Sequence, residues 1–289
     1  MRTREKCSVC CNKNLVRHLS TQDFFGTNET FHLLRCEACQ TLYTSPFPDQ
    51  NESITYYKSN SYVSHGDSKG FLFDKIYSLA KHINLKKKYS ILSKHVTPKR
   101  HLDIGCGTGD FLSYLKQKGI EVTGVEIDQN AKEAATKKGI QTFQTLQSVP
   151  KNTYDSISMI HVLEHVHELE NYMNITRNLL SKKGILFLAL PNFLSHDASV
   201  FKRYWAGYDV PRHLYHFSPQ SIQTLADKFG LNLVKTYPMK FDSYYASLLS
   251  IQYSTRSTNY LKAFIQGALS NNKALKTGNF SSLIYILQK

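Results

Sequence analysis

The sequence predicts an α/β protein built on a doubly wound, mainly parallel sheet, with a small metal-bound ribbon at its amino-terminal end. Three observations carry this. Residues 102–112 read Leu-Asp-Ile-Gly-Cys-Gly-Thr-Gly-Asp-Phe-Leu, so a short apolar strand, His101–Ile104, runs into Gly105, Gly107 and Gly109 and then into a helix closed by Gly119. Glu126 follows Gly105 by 21 positions, at the end of the next strand-like run, Glu121–Ile127. There its carboxylate can accept two hydrogen bonds from a ribose diol, beside a loop whose glycines let a ligand touch backbone. Finally, five of the six cysteines fall in the first 39 residues, as Cys7-x-x-Cys10, the adjoining Cys11, and Cys36-x-x-Cys39.

Taken in order, residues 1–48 read as the ribbon. Two Cys-x-x-Cys turns can present four thiolates to one ion, and in a reducing cytoplasm a structural zinc is favoured over a pair of disulfides. Cys7, Cys10, Cys36 and Cys39 are the expected ligands, with Cys11 a spare that can replace Cys10. Residues 49–100 read as a linker and helical lid. Ser45-Pro-Phe-Pro48 breaks regular structure, Tyr56, Tyr57 and Tyr62 form an aromatic stretch, and helical spacing through Ile76, Leu79, Ala80 and Ile83 runs over 71–96 until Pro98 stops it.

Residues 101–289 read as the main domain. Helix 129–138 ends at Gly139, and strands 140–143 and 155–160, helix 168–180 and strand 185–190 follow in the alternation of an open α/β sheet. Ser218-Pro219 has the chemistry of a helix start, and 231–237 and 282–287 read as the last strands. Residues 193–217 and 242–280 are then insertions, the second mostly helical.

Leu102–Leu112 resembles motif I of the class I S-adenosylmethionine (SAM) methyltransferases, and Gly124-Val-Glu-Ile-Asp128 resembles their second motif. Tyr154-Asp-Ser-Ile-Ser-Met-Ile-His-Val-Leu-Glu-His-Val166 is similar to the fourth strand and active-site loop of the ubiquinone-biosynthesis type, and Gly184-Ile-Leu-Phe-Leu-Ala-Leu-Pro-Asn192 to the fifth strand and its exit. The likeness covers about residues 100–240. It implies a Rossmann-like sheet of seven strands with an antiparallel edge strand, and SAM as cofactor. It also implies that Asp103, Gly105, Gly107 and Gly109 line the methionine end, that Glu126 binds the ribose, and that Ile127 and Leu146 close on the adenine.

His161-Val-Leu-Glu-His165 stands just beyond the fourth strand, where open α/β sheets place their ligands. His161 is a candidate cofactor contact, and Glu164 or His165 a candidate proton acceptor; for His165 the alternative is a cap on the following helix. A related ubiquinone-pathway subgroup holds a divalent ion with Glu-x-x-Glu-His, and His161 in place of the first glutamate argues against a catalytic metal here. Within Trp205-Ala-Gly-Tyr-Asp-Val-Pro-Arg-His-Leu-Tyr-His-Phe217, Arg212 can pair with a phosphate or carboxylate of an acceptor, and His213 or His216 can be the base. The alternative is a buried, hydrogen-bonded corner that locks the loop.

The net charge is +14, with eight Lys or Arg and no acid from Lys75 to Leu102, and five and no acid in 243–289. A solvated basic surface accounts for most of these; phosphates on a small substrate, a nucleic acid or an acidic membrane are the other readings. No apolar run is long enough to span a bilayer, and Met1–Lys6 leads into no apolar stretch, so the expected location is the cytoplasm. The expected partner is a small acceptor methylated at oxygen or carbon, phosphorylated or otherwise anionic. A sugar nucleotide or glycan intermediate is the candidate, since an amino-terminal zinc module ahead of this fold resembles the deoxysugar C-methyltransferases. RNA methylated at a ring nitrogen is the first alternative; a non-catalytic zinc-ribbon interaction protein on a methyltransferase scaffold is the second.

Overall fold

In this computed structural model residues 1–57, 71–151 and 153–289 are described, those at 71–80 as backbone. Among them the elements run β1 (Leu15–Gln22), β2 (Thr30–Cys36), β3 (Leu42–Ser45), α1 (Gln50–Tyr57), α2 (Phe71–Ser93), β4 (Arg100–Ile104), α3 (Asp110–Lys116), β5 (Glu121–Val125), α4 (Gln129–Lys137) and β6 (Gln141–Phe143). There follow β7 (Tyr154–Ile160), α5 (Leu169–Leu179), β8 (Leu180–Pro191), α6 (His196–Phe201), β9 (Tyr215–His216), α7 (Pro219–Lys228), β10 (Asn232–Pro238), α8 (Asp242–Thr255), α9 (Tyr260–Thr277) and β11 (Ser282–Gln288). Tyr62 lies outside the described residues, as do the side chains of Ile76, Leu79 and Ala80.

The expected seven-stranded mixed sheet is present, in the order β10-β11-β8-β7-β4-β5-β6. β4 pairs in parallel with β5 and with β7, Leu102 lying opposite both Thr123 and Ile157, and β5 pairs in parallel with β6. Helices cover such strands on both faces, which is why Leu102–Ile104 and Ile185–Leu190 are buried without alternation. The chain is compact in two units, one made of Met1–Tyr62, Leu163–Leu169 and Ala189–Tyr285, the other of Val63–Val162, Glu170–Leu188 and Ile286–Lys289.

In the second unit, β4 is the point where the winding reverses: β5 and β6 succeed it on one side and β7 on the other. Loops that leave neighbouring strands in opposite directions open a crevice at the carboxyl ends, and the glycine loop leaves β4 there. α4 is fixed by Asp128, whose side chain accepts from the Ala131 N–H. Behind the loop, Cys106, Leu112, Ala135 and Ile140 pack as one apolar cluster. β8 begins at Leu180, five residues earlier than the turn-like Ser181-Lys-Lys-Gly184 suggests. Pairing overrides propensity here, since the Lys289 N–H donates to the Gly184 carbonyl at 3.2 Å.

In the first unit, β1, β2, β3 and β9 form a four-stranded antiparallel sheet. The sequence places β9 in an insertion of the main domain, yet Tyr215 and His216 pair with Tyr43 and Leu42 of the ribbon. α1 begins what the sequence reads as a linker, and Tyr56 joins Phe31, Leu33, Leu42, Phe193, Trp205, Tyr208 and Val210 in one core. Ser218 caps α7 in a reciprocal box with Ser221, as the Ser-Pro pair predicts. Asp197, fully buried, accepts hydrogen bonds from the Trp205 indole at 2.8 Å and from the Ser270 and Ser281 hydroxyls at 2.7 Å, tying α6 to α9 and to the residue that precedes β11.

Candidate active site

Gly105, Gly107 and Gly109 all take positive φ, 72°, 53° and 75°. At Gly105 the requirement is also one of space, because a Cβ would meet Val162 Cγ2 at 2.3 Å. At Gly107 a Cβ would meet nothing within 4 Å, so this stretch of backbone borders open space. Glu126, 9% exposed, is held over it: Oε2 accepts from the Gly107 N–H at 2.7 Å and Oε1 from the Asp128 N–H at 2.9 Å. Each oxygen retains a second lone-pair direction, so a fixed carboxylate with spare acceptor capacity faces a bare-backbone loop.

Asp103 sits at the end of β4, almost fully buried, and accepts from the Ser158 hydroxyl of β7. Because that hydroxyl is spent on Asp103, it accepts from His101 Nε2 at 2.8 Å, while His101 Nδ1 meets the Ser156 hydroxyl at 2.7 Å. Burial holds His101 neutral, its pKa lowered to about 3. Burial likewise pushes Asp103 up to about 7, with the Ser158 hydrogen bond acting against it and the charge of Glu126 adding to it. Ile127, 70% exposed, and His161, with φ of 56°, stand at the ends of β5 and β7, whereas Leu146 is buried in a short helical turn.

The other unit gathers the imidazoles. The rings of His165 and His213 meet edge to face at 4.6 Å, and His213 and His216 lie 6.2 Å apart. His213 Nδ1 lies 3.0 Å from the Gly207 carbonyl, which can only accept, so Nδ1 donates there and fixes the ring with Nε2 on its other side. That nitrogen is 3.9 Å from Glu164 Oε1 and 4.0 Å from Asp209 Oδ2. His165 Nδ1 is 3.0 Å from the Arg212 carbonyl and 2.9 Å from the Tyr57 hydroxyl, and burial lowers its pKa to about 4, helped by His213. The Thr44 hydroxyl donates to the His213 carbonyl at 2.6 Å and so accepts from His216 Nε2 at 3.2 Å. Burial keeps His216 well below the ordinary histidine range.

Arg212 is nearly buried and engaged on several sides. Its Nε and Nη2 donate to Asp209, Nη2 also to Asp23 at 2.8 Å, and Nη1 to the Tyr56 carbonyl at 3.1 Å. Although burial opposes the charge, these two carboxylates hold the guanidinium protonated. The sequence shows the cation and gives no sign of Asp23, 189 positions away.

The profile of the family described as a methyltransferase domain matches residues 79–236, more than half of the chain. The chain belongs to the methyltransferase domain family. Its similarity to curated members extends to the mitochondrial ubiquinone biosynthesis O-methyltransferase of Bos taurus, 27% identical over 163 residues, which are 50% of this chain and 44% of that protein. The chain spans less than half the length of that relative. Among solved structures, a SAM-dependent methyltransferase from Archaeoglobus fulgidus superposes with a TM-score of 0.51 at 18% identity, over 77% of this chain and all of that one. A mycolic acid cyclopropane synthase complexed with SAH and CTAB gives 0.53 at 14% identity, over 72% of this chain and 85% of the other. These likenesses show the fold.

The chain also carries a cluster of potential metal-ligand atoms. Cys7, Cys10, Cys36 and Cys39 place their sulfurs within 4.8 Å of one another, with neighbouring pairs at 3.4–3.5 Å. Four thiolates about 2.3 Å from one zinc lie about 3.8 Å apart, so the donor set and its spacing fit that ion. The two turns are alike: Cys11 and Gln40, each following the second cysteine of its pair, both take φ of 64°. This turn leaves Cys11 exposed and outside the cluster, and Cys10 inside it.

Proposed function

We propose that this chain transfers a methyl group from SAM to oxygen or carbon of a small, anionic acceptor, a sugar nucleotide or glycan intermediate being the candidate. The observation that carries the reading is Glu126 clamped over Gly107, since a carboxylate fixed by two backbone donors beside an open loop suits a ribose diol. SAM supplies a methyl on a sulfonium, a leaving group that needs no activation, so the protein has to align the acceptor, exclude water and accept a proton. Asp103 and the glycine loop hold the methionine end, and Ile127, Leu146 and His161 border the adenosyl group. His213 Nε2 is the base, oriented by its Nδ1–H bond to Gly207 and accompanied by Glu164 and His165. Arg212 acts through the loop it anchors, and His216 locks that loop to Thr44. The four cysteines hold a structural zinc, a chemistry that suits the cytoplasm.

Labelled SAM offered to a lysate before and after ribonuclease treatment is expected to label a small-molecule fraction; label in RNA would reject the reading. Glu126→Ala is expected to weaken SAM binding by about 1–3 kcal/mol, the scale for charged hydrogen bonds, and to reduce labelling in step. Calorimetry that finds SAM affinity unchanged would remove the ribose role from Glu126.

Asp103 gives the site a pH dependence. With its pKa raised to about 7, it is mostly protonated at pH 6 and mostly charged at pH 8. A cationic ligand prefers the charged form, so SAM affinity is expected to rise roughly tenfold between these values and to flatten in Asp103→Asn. A wild-type profile as flat as the variant's would show that Asp103 does not meet the ligand's charge.

A further inference from the structure

α9 buries its small residues and exposes its large ones. Its buried positions are Ala263, Gly267, Ser270 and Ala274, and those of α8 are Ser243, Ser247, Ser250 and Ile251. At Gly267 a Cβ would stand 2.6 Å from the Tyr244 ring and 2.9 Å from its Cα, so the two helices approach to contact. Outward, α9 presents Tyr260, Leu261, Phe264, Ile265, Leu269 and Leu275, between 45% and 71% exposed. Tyr245 of α8 and Phe241 just before it are exposed as well.

A helix in water hides its large apolar side chains and shows its polar ones. Helices in contact with lipid do the reverse, meeting through small residues and turning Leu, Ile and Phe outward, because the surrounding phase is itself apolar. α9 follows the second rule. At 3.6 residues per turn, the exposed apolar positions of α9 fill about half its circumference, and Lys262, Lys273 and Lys276 stand at one margin. Residues 243–289 hold five cations and no acid. Among the described residues no helix is long and apolar enough to cross a membrane. An aromatic and aliphatic face edged by lysines suits a helix lying in the headgroup region instead.

We infer that the exposed face of the α8–α9 hairpin docks on an anionic lipid bilayer. Opposed copies of this cationic face repel, whereas negatively charged headgroups match the lysines and the acyl boundary receives Leu261, Phe264 and Ile265. The hairpin is tied to the protein beneath it by the Ser270 hydroxyl on Asp197 and by Asn271 Nδ2 on the Lys240 carbonyl at 2.9 Å. The contact therefore places the whole chain at the membrane surface.

The test is co-sedimentation of the full, zinc-loaded chain with vesicles of phosphatidylcholine alone or mixed equally with phosphatidylglycerol. Binding is expected on the mixed vesicles, at least tenfold stronger than on phosphatidylcholine, and weakened by salt. Leu261→Asp with Phe264→Asp is expected to reduce it tenfold or more, and Lys262→Gln with Lys276→Gln by roughly fivefold for each charge. Circular dichroism and the thermal unfolding midpoint of each variant serve as the folding control. With the fold intact, binding indifferent to lipid charge and to all four substitutions overturns the inference. So does a dimer that the aspartates dissociate in a protein that ignores vesicles, which would make the face an interface between copies.

Discussion

Cys36→Ser is expected to lose the zinc and with it the four-stranded sheet, the largest stability change proposed for this protein. Structural zinc bound by four thiolates contributes on the order of 10 kcal/mol to the fold it organises, and removing one ligand forfeits much of that. The damage travels beyond the first fifty residues. β3 pairs with β9, and the Thr44 hydroxyl holds both the His213 carbonyl and His216, so loss of the ribbon releases the imidazole cluster too. Methyl transfer should therefore fall sharply. The residues proposed to hold SAM, Asp103, the glycine loop and Glu126, belong to the other compact unit, and SAM binding should survive. Metal analysis, hydrogen exchange over β1–β3 and calorimetry with SAM read the three effects separately. Undiminished zinc content in the variant would refute the ligand assignment.

His213→Ala is expected to lower kcat by roughly 10²- to 10⁴-fold, the range for a positioned base, with little change in SAM affinity. His213 is preferred to its neighbours because Nδ1–H fixes the ring on Gly207 while Nε2 lies beside the Glu164 and Asp209 carboxylates. His216 spends Nε2 on Thr44, and burial makes His165 a weak base, its pKa lowered to about 4. His216→Ala should accordingly destabilise the loop and cost far less in kcat than His213→Ala. A variant at 213 that keeps the rate would assign the proton to another group.

What the sequence discloses, and what it hides, follows the distance over which each feature is built. The glycine loop, Glu126 and the Ser218 cap depend on spacings of a few to about twenty residues, and each is found where the spacing puts it. The four cysteines are legible because metal ligands come in short, recognisable pairs. By contrast, Arg212 reads either as a partner for an acceptor phosphate or carboxylate or as part of a buried corner, because nothing local announces Asp23 or the Tyr56 carbonyl. The chain of hydroxyls and imidazole behind Asp103 is equally silent: Ser156, Ser158 and His101 are ordinary strand residues until β4 and β7 lie side by side. β9, two residues long, is too short for any periodicity to reveal.

That short strand has a consequence for how this polypeptide is made. Thr44 and His213 are 169 positions apart, so the ribbon leaves the ribosome long before the segment that completes it. The intervening stretch, by then already synthesised, is free to acquire its own fold first. Trimming the cysteine-bearing end would leave an orphaned edge on the remainder, and grafting that end onto another enzyme would carry the same defect to its new host.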